Sequence, residues 1–112
     1  MVTDFQSEPV LTPEQQGRAR RFVQLLLAIR TRMGGARPIS RRSLALQLDL
    51  SVTMMSRYES GCIDPAEVRY GVISKLAQVM GVSLSAVQLY LLQGKTWGLL
   101  EHPAMTPVAH LL

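Results

Sequence analysis

Residues 39–61 constrain the fold more than any other part of the chain, because they carry the pattern of two short helices joined by a tight break. Ser40 is placed to cap a helix over 41–48, since a serine oxygen can accept from the free N–H groups of a first helical turn. Residues 49–51 interrupt the helical spacing, and a second helix follows over 52–60. The sequence therefore predicts a helix-turn-helix in this stretch.

A longer helix is predicted before this pair, over residues 13–33. Thr12 can cap its first turn, and Gln15 stands at the reciprocal position of a capping box. Gly34 and the residues that lead to Pro38 end the helix. Its large apolar residues recur at helical spacing and so share one face: Phe22, Leu25, Leu26, Ile29 and Met33.

Two more helices are predicted after the pair. Asp64 can cap a fourth helix that has Pro65 in its first turn and ends at Gly81. Ser83 can cap a fifth helix over 84–93, which Gly94 ends. The apolar stripe predicted for the fourth helix consists of Val68, Val72, Leu76 and Val79.

The composition is typical of one folded domain. A chain of 112 residues can bury one hydrophobic core, and a hydrophobic content of 47% excludes wholesale disorder. Leu, Ala, Arg, Gln and Met favour helices over strands, which predicts an all-α fold. The single cysteine, Cys62, excludes an internal disulfide framework and fits a reducing compartment. With neither a signal peptide nor a long apolar span in view, we expect a cytoplasmic protein that does not enter a membrane.

The positive charge is concentrated in one part of the chain. Residues 18–57 contain nine arginines against one acid, Asp49, which gives a net charge of +8, whereas the whole chain carries +4. A basic block of this kind indicates a polyanionic partner, with nucleic acid as the first candidate and an acidic membrane surface as the second. Guanidinium groups suit phosphate oxygens and guanine edges. A solvated face without a ligand is the alternative.

The chain divides into three parts on these patterns. Residues 1–11 form a flexible N-terminal arm, because they contain Pro9 and show no helical period. Residues 12–94 hold the five helices. Residues 95–112 form an extended or hooked C-terminal tail with two prolines, and this tail is a candidate segment for dimerisation or partner binding.

The helix-turn-helix stretch resembles the Cro/repressor (XRE-type) family of DNA-binding proteins. That family's pattern runs Leu-Ser-Gln-x-x-Leu-Ala, a Gly-Val/Ile-Ser turn, a helix that ends in x-x-Glu-x-Gly, and then a proline. Residues 75–83 resemble the family's fourth helix and the start of its fifth, so the resemblance covers residues 20–92. The matching positions are Ser40, Leu44, Ala45, Leu48, Leu50, Ser51, Met55, Tyr58, Glu59, Gly61 and Pro65.

The resemblance implies an all-α, five-helix lambda-repressor-like domain with an extended C-terminal tail. It also implies a structural ion pair between Arg30 and Glu59. Asp49 replaces the family's turn glycine, and aspartate tolerates a left-handed backbone better than most residues do. The expected small core consists of Ile29, Leu44, Leu48, Leu50, Met55, Tyr58 and Leu76.

In the family the third helix enters the major groove and the start of the second helix faces a phosphate. Arg41 takes the place of the family's glutamine at that start, and Arg42 adds a second phosphate contact. Arg57 can reach a guanine edge, and Val52 and Met54 can touch thymine methyl groups. The predicted DNA-binding residues are Arg41, Arg42, Ser51, Val52, Thr53, Met54, Ser56 and Arg57.

The fifth helix is apolar on nearly all sides, which predicts that a partner covers part of it. A symmetric homodimer would present two recognition helices to successive turns of DNA. The alternative is that the tail folds back over the helix within the same chain. The predicted dimer or partner interface consists of Val87, Tyr90, Leu91, Trp97, Leu99 and Leu100.

These patterns predict a sequence-specific transcriptional regulator that binds double-stranded DNA. The alternative is a helix-turn-helix used as a protein-interaction adaptor, or an antitoxin-like protein that holds a second partner through residues 95–112. No arrangement of residues typical of a catalytic site, a cofactor site or a metal site is present. His102 and His110 lack the acidic surroundings that a metal site needs.

Overall fold

The computed structural model describes residues 10–95. In this part of the chain it contains α-helices, one short 3₁₀-helix and no strand, and the predicted all-α, five-helix fold is confirmed. The α-helices are α1 (Pro13–Gly34), α2 (Arg41–Gln47), α3 (Val52–Glu59), α4 (Tyr70–Met80) and α5 (Leu84–Gln93), and the 3₁₀-helix is Pro65–Glu67.

Four of the five α-helices begin at a residue whose side chain caps the first turn. Thr12 accepts a hydrogen bond from the backbone N–H of Gln15, whose side chain accepts in return from the backbone N–H of Thr12. The side chains of Ser40, Ser51 and Ser83 cap α2, α3 and α5, each by accepting from the backbone N–H three residues further on. Each cap satisfies a backbone donor that would otherwise be unpaired, and it fixes the first residue of its helix.

The fourth helix is shorter than predicted. Asp64 caps only the 3₁₀-helix, where its side chain accepts from the backbone N–H of Ala66. The backbone of Val68 is then extended, and α4 begins at Tyr70. Val68 therefore lies outside α4. Of the predicted stripe, Leu76 is buried, and Val68, Val72 and Val79 are half-buried against the core. Helix α4 also buries Ile73, Ala77 and Met80.

One hydrophobic core joins all five helices, and α1 contributes the fully buried Phe22, Leu25 and Leu26 to it. Phe22 of α1 packs against the Tyr58 ring of α3 with ring centroids 5.2 Å apart. Most of the expected core is confirmed, with Leu50 half-buried against it. The buried members are Ile29, Leu44, Leu48, Met55, Tyr58 and Leu76. Met33, which the sequence predicts on the apolar face of the first helix, lies in the last turn of α1 and is 37% exposed.

The predicted interface on α5 is wrong for the residues that the structure describes. Val87, Tyr90 and Leu91 are buried in the core of their own chain, at 0%, 3% and 2% exposure. The helix packs against α1, α4 and the 3₁₀-helix, which accounts for the burial of these three residues, while Leu92 stays 41% exposed. Trp97, Leu99 and Leu100, the other members of the predicted interface, lie outside the described residues.

Helices α4 and α5 meet at a sharp corner. Gly81 caps α4 in the left-handed conformation, with φ 74° and ψ 28°. No single helix of residues 10–95 is long and apolar enough to span a membrane; α4 and α5 reach that length and hydropathy only when taken together, and they are bent by 113° at the break.

Arg30 holds the loop between α1 and α2 at Ile39. The backbone carbonyl of Arg30 accepts from the Ile39 N–H at 2.9 Å, and Nε of Arg30 donates to the Ile39 carbonyl at 2.8 Å. A Cβ added to Gly34 would lie 2.7 Å from the Ile39 nitrogen, so a glycine is needed at this close approach. These contacts fix the start of α2 relative to α1, while residues 35–38 stay exposed.

A buried ion pair, absent from the sequence predictions, ties α1 to the 3₁₀-helix. Arg18 donates from Nε and Nη2 to the two carboxylate oxygens of Asp64, at 2.9 and 2.8 Å. Asp64 is 4% exposed. The hydrogen bond from Arg18 holds the pKa of the Asp64 carboxyl below its usual value, with smaller contributions in the same direction from the Ala66 N–H and the Arg18 charge, against the effect of burial.

We expect Asp64→Asn to lower the free energy of unfolding by about 2 kcal/mol, because it removes a charge-assisted hydrogen-bond pair from a buried position. Urea titration at neutral pH measures this change. Glu67→Gln is the matched control, since it removes the same charge from an exposed position of the same 3₁₀-helix and should change stability by less than about 0.5 kcal/mol. Equal losses in the two variants would contradict a structural role for the Asp64 pair.

The same pair predicts a loss of stability in acid. Because the folded-state pKa of Asp64 is lowered, its contribution is complete above the unfolded-state pKa of about 4 and is lost as pH falls through the folded-state value. Urea titrations between about pH 6 and pH 2 should give a shallower decline for Asp64→Asn than for the native chain. Parallel declines would show that other carboxyls cause the acid sensitivity.

Candidate nucleic-acid interface

The turn between α2 and α3 depends on a left-handed aspartate. Asp49 has φ 59°, the conformation that was expected where the family has glycine. The backbone N–H of Leu50 donates to the Ala45 carbonyl at 2.8 Å, and the half-buried Leu50 side chain packs on the core. Ser51 then caps α3 by accepting from the Met54 N–H. The turn therefore fixes the direction in which α3 leaves α2.

Helix α3 has one buried side and one exposed side. Met55 and Tyr58 point into the core, and burial raises the pKa of the Tyr58 phenol despite the nearby Arg69 charge. Val52 is 40% exposed and Met54 is 37% exposed. The predicted DNA-binding residues of α3 and its cap are exposed except for the half-buried Ser56: Ser51, Val52, Thr53, Met54 and Arg57.

Arg41 and Arg42 both lie exposed at the start of α2, but their surroundings differ. Nε of Arg41 donates to Oε1 of Glu59 at 2.7 Å, and its Nη1 donates to Oγ of Ser56 at 3.3 Å. The Arg41 side chain is nevertheless 48% exposed. The structure thus brings Arg41 of α2 against two residues of α3, a contact that the sequence did not predict.

Glu59 also accepts hydrogen bonds from a second arginine, Arg30. Nη1 of Arg30 donates to both carboxylate oxygens of Glu59, at 3.0 and 3.2 Å, so the pair implied by the family resemblance is present. The Glu59 side chain is only 8% exposed and contacts two guanidinium groups. No spacing rule relates Arg41 to Glu59, 18 residues further on, and only the folded turn brings them together.

The basic block seen in the sequence is partly used inside the protein. Contacts with other parts of the chain are made by Arg18 to Asp64, by Arg21 to the Leu91 carbonyl, and by both Arg30 and Arg41 to Glu59. The exposed arginines of the block are Arg20, Arg32, Arg37, Arg41, Arg42 and Arg57. The charge available to a ligand is therefore smaller than the net charge of the block suggests.

A cleft of about 640 Å³ lies beside α3 and is open to solvent. Its lining is mixed: apolar side chains from the turn, the 3₁₀-helix region and α4, two arginines and two acids. Met54 and Arg57 border it, so the same side chains face both the cleft and the exposed side of α3.

The described residues hold no group of three His, Cys, Asp or Glu side chains placed to bind a metal ion. His102 and His110 lie outside this part of the chain. Cys62 is an exposed free thiol, and its Sγ lies 2.8 Å from Oγ of Ser60.

Comparison with known proteins gives no assignment. No protein-family model matches the chain. No curated protein matches it either. The resemblance to the Cro/repressor family therefore stays a prediction that depends on the matching positions of the helix-turn-helix.

We expect Asp49→Gly to raise the free energy of unfolding by about 0.5–1 kcal/mol, because glycine adopts positive φ without a Cβ penalty. The ion pair lost with it, Lys75 to Asp49 at 3.7 Å, is exposed and contributes little. Asp49→Ala, which also removes the carboxylate but keeps a Cβ, should instead lower stability by about 1 kcal/mol. Urea titration of both variants checks the sign; a gain for alanine would contradict the strain argument.

Proposed function

We propose that the protein is a sequence-specific DNA-binding regulator of transcription, with α3 as its recognition helix. The observation that carries the proposal is the exposed side of α3, which is held on the core by Met55 and Tyr58 and bordered by the exposed Arg41 and Arg42 of α2. An α-helix presented in this way fits the width of the major groove of B-DNA.

The residues divide by the part of DNA that each would contact. Arg42 at the start of α2 would neutralise a phosphate. On α3, Arg57 would donate to a guanine edge, and Val52 and Met54 would contact thymine methyl groups. Thr53 can donate or accept, so it would discriminate weakly between bases. Bound protein would then block or recruit polymerase at its site.

The homodimer expected from the sequence remains part of this proposal. Two copies would place their α3 helices about 34 Å apart, one turn of DNA. Val87, Tyr90 and Leu91 cannot supply the contact between copies, because their own chain buries them. The number of protomers bound to each duplex, measured by analytical ultracentrifugation, tests this part of the proposal.

A second function is favoured by the apolar character of α3. Val52 and Met54 are exposed hydrophobic residues, and an open cleft continues beside Met54. An adaptor that binds another protein through this side of α3 would use the same surface. Selection of bound duplexes from a random-sequence library separates the two functions, because an adaptor would enrich no sequence.

We expect Arg42→Ala to weaken binding to all duplexes and to reduce the salt dependence of the association constant by about one counterion. Arg57→Ala should weaken binding and also relax the preferred sequence, with a loss of about 1–3 kcal/mol at the guanine that it contacts. Fluorescence anisotropy with the selected duplex and a random-sequence duplex measures both effects.

Lys95→Ala is the matched control, because it removes one exposed positive charge just after the end of α5. This variant should bind as the native protein does. If all three variants bind equally well at moderate salt, α2 and α3 do not form the DNA contact surface.

A further inference from the structure

Glu59 connects three helices through one carboxylate. It lies at the end of α3, accepts from Arg30 of α1 and accepts from Arg41 of α2. The Arg30 pair fixes the carboxylate itself, since both of its oxygens accept from Nη1 of Arg30, and Nε of Arg30 is held by the Ile39 carbonyl. Arg41 therefore meets a carboxylate whose position is already determined.

Arg41 lies along α3. It donates to Ser56 and to Glu59, which are three residues apart and so share one side of the helix. The two contacts use Nε and Nη1 of the guanidinium, and about half of the side chain stays exposed, at 48%. The exposed part of the guanidinium is thus kept beside the residues of α3 that are assigned to DNA.

We propose that Glu59 is a positioning residue for nucleic-acid recognition: it holds the Arg41 guanidinium on α3, so that Arg41 and α3 contact DNA as one rigid unit. The inference rests on the proposed function. A long arginine side chain loses rotamer freedom when it binds a phosphate, and a side chain that is already fixed has less freedom to lose. The Glu59 contact supplies that fixation before DNA arrives.

Simple electrostatics predicts the opposite effect for the same residue. A carboxylate near a DNA surface repels phosphates and competes with them for Arg41, so its removal would strengthen binding. Positioning predicts that its removal weakens binding. The sign of the change in affinity therefore distinguishes the two roles.

The test is the affinity of Glu59→Gln for the duplex that the native protein selects from a random library. We expect this variant to bind the duplex roughly tenfold more weakly or worse, because it loses about one charge-assisted hydrogen bond. Glu14→Gln, which removes an exposed acid from the first turn of α1, is the control for charge and should bind as well as the native protein or better. Unchanged or tighter binding by Glu59→Gln would overturn the proposal.

Arg41 variants keep the proposal testable if Glu59→Gln unfolds, because they leave the Arg30 pair in place. Arg41→Lys keeps the charge but loses the Nε contact, and it should also bind roughly tenfold more weakly. Where Glu59→Gln folds, adding it to Arg41→Ala should cause no further loss of affinity, since the two residues act together. Native affinity for Arg41→Lys, or additive losses in the double variant, would overturn the proposal.

A readout on the protein without DNA separates this inference from the proposed function. The Nε–H resonance of Arg41 in a ¹H–¹⁵N spectrum should be resolved and slow to exchange in the native protein, and averaged in Glu59→Gln. If the native protein enriches no duplex, the proposed function fails whatever this resonance shows. If it enriches a duplex but the Arg41 resonance is averaged, the positioning role alone fails.

Discussion

Helices of seven and eight residues are not stable alone in water, so α2 and α3 depend on the apolar face of α1. Phe22, Leu25, Leu26 and Ile29 give that face, and Met55 and Tyr58 of α3 are buried in the same core. A single long helix therefore provides the surface on which the helix-turn-helix forms. Because α3 is held by its buried side, we expect substitutions on its exposed side to leave the fold intact.

Polar contacts add direction to this packing. Hydrophobic burial holds α3 on α1 but does not by itself fix the rotation of α2 around it, because apolar contact is not directional. The Glu59 carboxylate contacts arginines from both other helices within 3.2 Å, and hydrogen bonds of this kind do have a preferred geometry. Packing thus sets which helices meet, and the ion pairs set their orientation.

The sequence predicts local features of this structure better than contacts between distant residues. The caps at Thr12 and Ser40 are set by neighbouring residues, and these predictions are confirmed. Arg18 and Asp64 are 46 residues apart, and their pairing depends on the whole fold. Asp64 could be identified as a cap from its neighbours, but its partner could not.

The two wrong predictions have related causes. The number of apolar residues in α5 indicates how much surface must be covered, but not which elements cover it. Here α1, α4 and the 3₁₀-helix bury Val87, Tyr90 and Leu91. The fourth helix is predicted to run on from the Asp64 cap, but the extended backbone of Val68 separates the 3₁₀-helix from α4. In both cases the tertiary arrangement decides what a one-dimensional pattern leaves open.

The double attachment of Ile39 to Arg30 has a consequence for how the protein can change. The two hydrogen bonds between Arg30 and Ile39 fix the start of α2. The exposed residues 35–38 between them therefore do not determine where α2 lies. Closing a longer flexible loop adds little entropic cost. Insertions at this site should therefore be tolerated, so that new surface could be acquired there while the geometry of the helix pair is preserved.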